Sequence, residues 1–175
     1  MMETVNCYDA SNRPTDHVTP RNALKDSPCY FRVVHLWWEV EGEWLVQKRA
    51  KADDVNPYMW AFTTGLVTQD ETPKDTVIRE TREELHVDLD PDSLSLLKIV
   101  PTHTGPYKTF AYIYLTHQAK QLTAPSDEVL EAAWWPMTKI HSAIQAGTFW
   151  DYPVLLNAPA YFSFQASDGA LYDTD

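Results

Sequence analysis

Several things are scarce in this chain, and each shortage removes a class of protein. Only 5 of the 175 residues are glycine, and only two, Cys7 and Cys29, are cysteine. Two cysteines make neither a disulfide framework nor a metal knuckle, so they read as a pair of reduced thiols. No apolar run comes near the roughly 20 residues that cross a bilayer. The opening residues MMETVNCYDASNRPTD lack the basic and apolar blocks of a secretory leader. A cytoplasmic protein without a membrane partner is the expectation. Basic residues are also few: 14 Lys and Arg stand against 25 Asp and Glu, for a net charge of -11. A nucleic acid duplex or an anionic membrane needs a basic footprint, and none is here. A phosphorylated small molecule is not excluded, because divalent cations can sit between two anions.

What is present is one domain's worth of core, at 44% hydrophobic residues. Residues 1–29 are rich in turn formers and read as an arm of the same domain, with at most a short strand near Val5–Tyr8. Residues 30–165 form the body, and 166–175 a disordered tail. Tyr30–Val40 is β-branched and aromatic on both faces, which predicts a central strand covered on both sides. Glu41-Gly42-Glu43 is a turn, and Trp44–Arg49 pairs back as a hairpin. Leu94–Thr102 and Phe110–His117 read as two antiparallel strands, joined by a loop at 104–108 that can cover a site. Glu128–Trp135 leads to another strand. Pro136–Gly147 reads as a helix with Thr138 as N-cap and Gly147 as its stop. Trp150–Phe164 reads as one or two short helices. Strands before and after one central helix, with a second helix late in the chain, predict an α+β fold: a mixed sheet between helical layers.

That central helix lies in Gly65–Val87, GLVTQDETPKDTVIRETREELHV. Placed at about 100° per residue, Asp75–His86 puts Val77, Ile78, Thr81 and Leu85 in one sector, toward the sheet. Glu80, Glu83 and Glu84 share a second sector, and Arg79, Arg82 and His86 a third. The ordinary meaning of such acids is a solvated helix face. Here they border the core sector, and a glycine turn and Glu71 come just before. Crowded carboxylates on a rigid element suit Mg²⁺ or Mn²⁺ held together with phosphates.

Gly65, Glu71 and the run Arg79-Glu80-Thr81-Arg82-Glu83-Glu84-Leu85-His86-Val87 resemble the Nudix box, G-x5-E-x7-R-E-U-x-E-E-x-G-U with U apolar. The lead-in Trp60-Ala61-Phe62-Thr63-Thr64-Gly65 resembles that family's W-x-F-P-G-G. Tyr8–Thr15, Val33–Trp37 and Leu45–Arg49 resemble the branch that holds isopentenyl-diphosphate isomerase and its hydrolytic relatives. Five positions depart from the pattern: Thr63-Thr64 replaces Pro-Gly, Asp70 replaces the glycine before Glu71, Thr81 is a weak apolar residue, and His86 takes the place of glycine. His86 is expected to end the helix with positive φ.

The resemblance implies a Nudix-type α/β/α sandwich. It implies divalent-metal-dependent hydrolysis of a pyrophosphate bond in a nucleoside diphosphate linked to another moiety, with Mg²⁺ or Mn²⁺ as cofactor. By the same likeness Glu80, Glu83, Glu84 and the backbone of Gly65 are metal candidates. Glu84, Glu83 and Arg79 are the catalytic candidates, with Arg79 holding the carboxylates. Substrate-binding candidates are Arg49, Lys48, Phe62, Glu71, Tyr107, Glu128 and Glu131, and Lys51 sits beside the basic pair. His35 reads as a core histidine, while His103 and Trp135 are lesser candidates. The wealth of aromatics fits a homodimer. Two other readings stand beside hydrolysis: a non-catalytic binding module on this fold, and an allylic diphosphate isomerase. The isomerase places a catalytic cysteine where this chain has Thr64.

Overall fold

A computed structural model of the chain describes residues 2–50 and 56–150. In chain order the elements are β1 (Thr4–Tyr8), β2 (Pro14–Pro20), a 3₁₀ helix (Arg21–Asp26), β3 (Tyr30–Val40), β4 (Glu43–Arg49), β5 (Trp60–Ala61) and β6 (Thr63–Leu66). Then come α1 (Pro73–Leu85), a 3₁₀ turn (Pro91–Ser93), β7 (Ser95–Thr104), β8 (Tyr107–Thr116), β9 (Val129–Pro136) and α2 (Met137–Gln145).

β3 is the hub. Along one edge it runs parallel to β8, from Tyr30↔Lys108 to Trp38↔Thr116. Its other edge takes three partners in turn: β1 at Tyr8↔Tyr30, β6 from Val33↔Leu66 to Leu36↔Thr63, and β4 at Glu39↔Trp44 and Val40↔Glu43. The turn between β3 and β4 has Glu41 at φ 54 and Gly42 at φ 83, the left-handed pair that a tight hairpin needs. The predicted hairpin therefore forms, but only at its base. Since β6 holds the next stretch of β3, β4 swings away to pair antiparallel with β9 and β5.

The alternation along β3 feeds two cores, as the apolar character of both its faces predicted. Val34, Leu36 and Trp38 join Phe110, Tyr112 and Tyr114 under Val77 and Leu85 of α1. Trp37 joins Val46, Ile113, Leu115 and Trp135 against Ile140 of α2. The sheet thus lies between two helices, which is the mixed α+β sandwich expected. No helix among the described residues is long and apolar enough to cross a membrane.

The N-terminal arm departs from expectation. It holds two strands, β1 and β2, paired antiparallel from Thr4↔Pro20. β2 hides in the sequence because it is polar, largely exposed and bounded by prolines, which only an edge strand tolerates. The reduced thiols are corrected too: Cys7 and Cys29 form a disulfide, with Cα atoms 5.3 Å apart. The cause is register. With Tyr8 opposite Tyr30, Cys7 and Cys29 become diagonal neighbours, a closeness that a separation of 22 residues does not announce.

Two smaller readings change. Residues 104–108 are no loop; β7 and β8 run up to a turn at Gly105, φ 56. Thr138 lies inside α2, whose N-cap is Pro136 without a side-chain bond. Lys51, the helices expected beyond Trp150 and the tail at 166–175 lie outside the described residues.

Candidate active site

α1 is fixed at both ends by its own sequence. Thr72 accepts from the Asp75 N–H at its N-cap, Asp75 answers the Thr72 N–H, and Pro73 fills the first turn. His86 ends the helix at φ 57, ψ 36, as its place in the motif predicts. The core sector is Thr76, Val77, Thr81 and Leu85, all buried, with Glu84 at its border. Thr81 fits that sector by donating its hydroxyl to the Val77 carbonyl at 2.7 Å.

Arg79 organises the acids. Its Nε and Nη2 donate to the two oxygens of Glu71 at 2.6 and 3.0 Å, a bidentate pair. Its Nη1 reaches Glu80 and Glu83, each at 3.0 Å. Burial pushes the Glu71 carboxyl up. Hydrogen bonds from Arg79, Thr76 and Thr68 outweigh that and hold it below its ordinary value. Bonding to Glu71, against the opposing effect of burial, raises Arg79 and keeps it charged. Glu71 and Arg79 therefore form a brace behind the site.

The other two carboxyls are unusual in the opposite sense. Burial pushes Glu80 up to about 7, with Arg79 opposing and Glu83 and Glu128 adding to the rise. Burial also pushes Glu84 up to about 8; the Gln47 bond opposes, and Glu80 and Glu128 add to it. Gln47 is itself buried. It donates to Glu84 at 2.6 Å and accepts from Thr63 at 2.8 Å, which fixes the Glu84 carboxyl in place. Gly65 has no room for a side chain, because a Cβ there would lie 2.6 Å from Glu80 Oε1. Glycine at the head of the motif thus lets Glu80 fold over the β6 backbone.

Glu80, Glu84, Gly65, Arg49, Tyr107 and Glu128 line one cavity of about 330 Å³. These six of the expected residues are brought together. Arg49 lies over the Trp150 ring, 5.1 Å from its centroid. The remaining candidates stand elsewhere. Glu83 points outward, its side chain 59% exposed, bonded to Arg79. Lys48 and Glu131 are register partners across β4 and β9, away from the cavity lining. Phe62 is fully buried among Trp37, Trp44 and Phe149. Trp135 belongs to the same core, 4.4 Å from Trp60. His103 meets Tyr30 edge-on. His35 does face the cavity, and burial pushes it down to about 4, so it is neutral.

Sequence reasoning missed Arg21, Leu24, Thr64, Thr102, Thr104, Thr109 and Trp150 on the cavity wall, and Gln47 beneath it. Gln47 left no signal either, because it follows Trp44-Leu45-Val46 and opens the polar stretch Gln47-Lys48-Arg49, where a buried amide does not stand out.

Among the described residues no three acidic or histidine side chains converge tightly enough to cage an ion as they stand. Arg79 draws Glu83 aside, and Gln47 holds Glu84. The chemistry of the set still fits a hard divalent cation. Glu80, Glu84 and Glu128 offer oxygen ligands on the lining of one cavity, and the raised Glu80 and Glu84 mark a place short of positive charge.

The sequence matches the family model described as NUDIX domain over residues 31–158. No curated protein matches the chain. Among solved structures, DR0079 from Deinococcus radiodurans superposes with TM-score 0.67 at 18% identity, covering 89% of this chain and 96% of that one. A MutT/nudix family protein from Enterococcus faecalis gives 0.57 at 19%, covering 62% and 44%. A bifunctional NMN adenylyltransferase/ADP ribose pyrophosphatase from Francisella tularensis, complexed with AMP and a manganese ion, gives 0.52 at 18%, covering 64% and 36%. This chain therefore spans less than half the length of the last two. At these identities the likeness speaks for the fold.

Proposed function

The chain belongs to the Nudix family of pyrophosphohydrolases, and from that premise we propose that it hydrolyses a pyrophosphate bond in a nucleoside diphosphate linked to another moiety, with Mg²⁺ or Mn²⁺ bound. The observation that carries the reading is the meeting of Glu80, Glu84 and Glu128 with the Gly65 backbone in one cavity. A bound cation would offset phosphate charge and make a water a better nucleophile.

The chain's own residues do the rest. Glu80, Glu84 and Glu128 present the ligand oxygens, with Glu83, now turned outward to Arg79, as a further one from the motif. A carboxylate of this set takes the proton of the attacking water. The water oxygen bonds to phosphorus, the bridging P–O bond breaks, and two phosphate monoesters leave. Arg79 is a positioning residue, since its guanidinium ties Glu71, Glu80 and Glu83 together. Arg49, on the cavity wall, pairs with a phosphate oxygen.

The isomerase reading loses ground. Thr64 occupies the cavity wall at the expected cysteine position, and both cysteines of the chain are joined to each other. The Francisella protein's named activity makes ADP-ribose the first substrate to try, and its bound ion makes Mn²⁺ the first metal. The test is product release from ADP-ribose, NDP-sugars, dinucleoside polyphosphates, NADH and NTPs with Mg²⁺ or Mn²⁺, beside Glu84→Gln. Turnover by the wild type and at least a 100-fold loss in the variant are expected. No turnover of any substrate would favour the non-catalytic binding module instead.

A further inference from the structure

Residues 2–30 precede the segment matched by the family model, yet they supply part of the cavity wall. After Pro20 the chain enters the 3₁₀ helix Arg21–Asp26, whose Leu24 is buried against Val5, Cys7 and Phe31. The Arg21 N–H donates to the Glu3 carbonyl at 3.0 Å, which fixes the start of that helix on β1. The Cys7–Cys29 bridge then ties β1 to the residue before β3. Arg21 is thus launched from a clamped backbone.

Its side chain lines the same cavity as Glu80, Glu84 and Glu128, and the charges of Glu80 and Glu128 both reach it. Arg21 and Arg49 are the two guanidiniums on the lining. Arg21 Nη1 pairs with Glu3, and the Arg21 side chain is 61% exposed. A guanidinium carries five donors in a planar fork, so one carboxylate leaves donors to spare for a second oxyanion. A wall of carboxylates repels a pyrophosphate unless cations are set around it. An arginine on the same lining is such a cation, and its fork matches a phosphate.

We propose that Arg21, contributed by the segment ahead of the Nudix domain, binds an oxygen of the substrate's pyrophosphate. The assignment rests on the hydrolase reading above. It makes the N-terminal strands a part of the binding site as well as of the sheet.

Calorimetric titration tests this without relying on turnover. Inorganic pyrophosphate and α,β-methylene-ADP, whose bridge cannot be hydrolysed, are titrated with Mg²⁺ into the wild type, Arg21→Gln, Arg21→Lys and Glu3→Gln. Arg21→Gln should weaken binding about 10- to 100-fold. Arg21→Lys should recover part of the loss, since it keeps the charge without the fork. Glu3→Gln should bind as well as the wild type or better, because it frees the arginine. If Arg21→Gln binds like the wild type, the proposal is wrong. It is equally wrong if Glu3→Gln loses as much as Arg21→Gln, for then the pair acts only by holding the segment. A wild type that binds neither probe overturns the hydrolase reading and this inference together. A wild type that binds beside an unaffected Arg21→Gln overturns this inference alone.

Discussion

If Glu80 and Glu84 hold the proposed cation, its binding must depend on pH. A divalent cation binds ionised carboxylates, and burial holds these two at about 7 and about 8 in the metal-free chain. At about pH 6, roughly a tenth of Glu80 and a hundredth of Glu84 are ionised; at about pH 8, roughly nine-tenths and half are. If both must ionise to hold the ion, affinity rises on the order of 500-fold across that window, about 4 kcal/mol. Calorimetric titration of Mg²⁺ in two buffers of different ionisation enthalpy reads both affinity and protons released. Nearly two protons should leave near pH 6 and fewer than one near pH 8. Glu84→Gln should flatten the slope. The sign also appears in stability. The ordinary carboxyl value is 4.5, so the folded, metal-free chain holds protons that the unfolded chain has lost. Their contribution is complete below about pH 4.5 and is lost as pH rises through 7 and then 8. The metal-free Tm should therefore fall across that window, and added Mg²⁺ should recover more near pH 8 than near pH 6. An affinity that is level between pH 6 and 8, with no proton release, would refute the assignment of these two residues to the ion.

Three further outcomes follow from the site and its clamp. Gly65→Ala places a methyl 2.6 Å from Glu80 Oε1 and must expel that carboxylate; kcat/KM should fall about 100-fold while the melt shifts by no more than about 1–3 kcal/mol. Arg79→Lys keeps the charge but loses the bidentate hold on Glu71. Steady-state kinetics should show a loss of roughly 10- to 100-fold, which Glu71→Gln reproduces and which the double variant does not deepen in proportion. The double variant Cys7→Ser, Cys29→Ser releases a loop of 22 residues, so chemical denaturation should report a loss of about 3 kcal/mol; an unchanged midpoint would mean the bridge does not restrain the unfolded chain.

Much of this was legible because some segments obey one period throughout. β3 is apolar on both faces and α1 keeps one helical period along its length, so the strand's central place and the helix's core face could be read from the sequence. The spacing of Gly65, Glu80 and Glu84 likewise carried into the cavity. What was illegible depended on pleat and register. Lys48 and Arg49 are neighbours in sequence, but successive strand residues face opposite sides. Register then sorts the glutamates with them: Lys48 faces Glu131, while the Ala50 N–H bonds the Glu128 carbonyl and brings Glu128 to the side of Arg49. Phe62 sits next to the motif yet turns into the aromatic core, because it fills the space between Trp37 and Trp44. Arg21 and Thr102, Thr104 and Thr109 reach the cavity from segments far from the motif, and no local spacing marks them. The disulfide was hidden for the same reason, since it depends on β1 lying beside β3.

The parallel pairing of β3 with β8 also has a bearing on how the molecule assembles. Tyr30 must find Lys108, and Trp38 must find Thr116, so the central seam closes over a long stretch of chain. Local contacts come first: the α1 turn, the β7–β8 hairpin and the base of the β3–β4 hairpin all join near neighbours. As the chain leaves the ribosome, the motif helix is complete before the strand that seals the seam has been made. In that interval one backbone edge of β3 is unpaired, beside apolar side chains such as Val34 and Leu36 on the strand's faces, a surface prone to association. Refolding at high protein concentration should therefore compete with aggregation at the stage before β8 docks, and dilution should restore the yield.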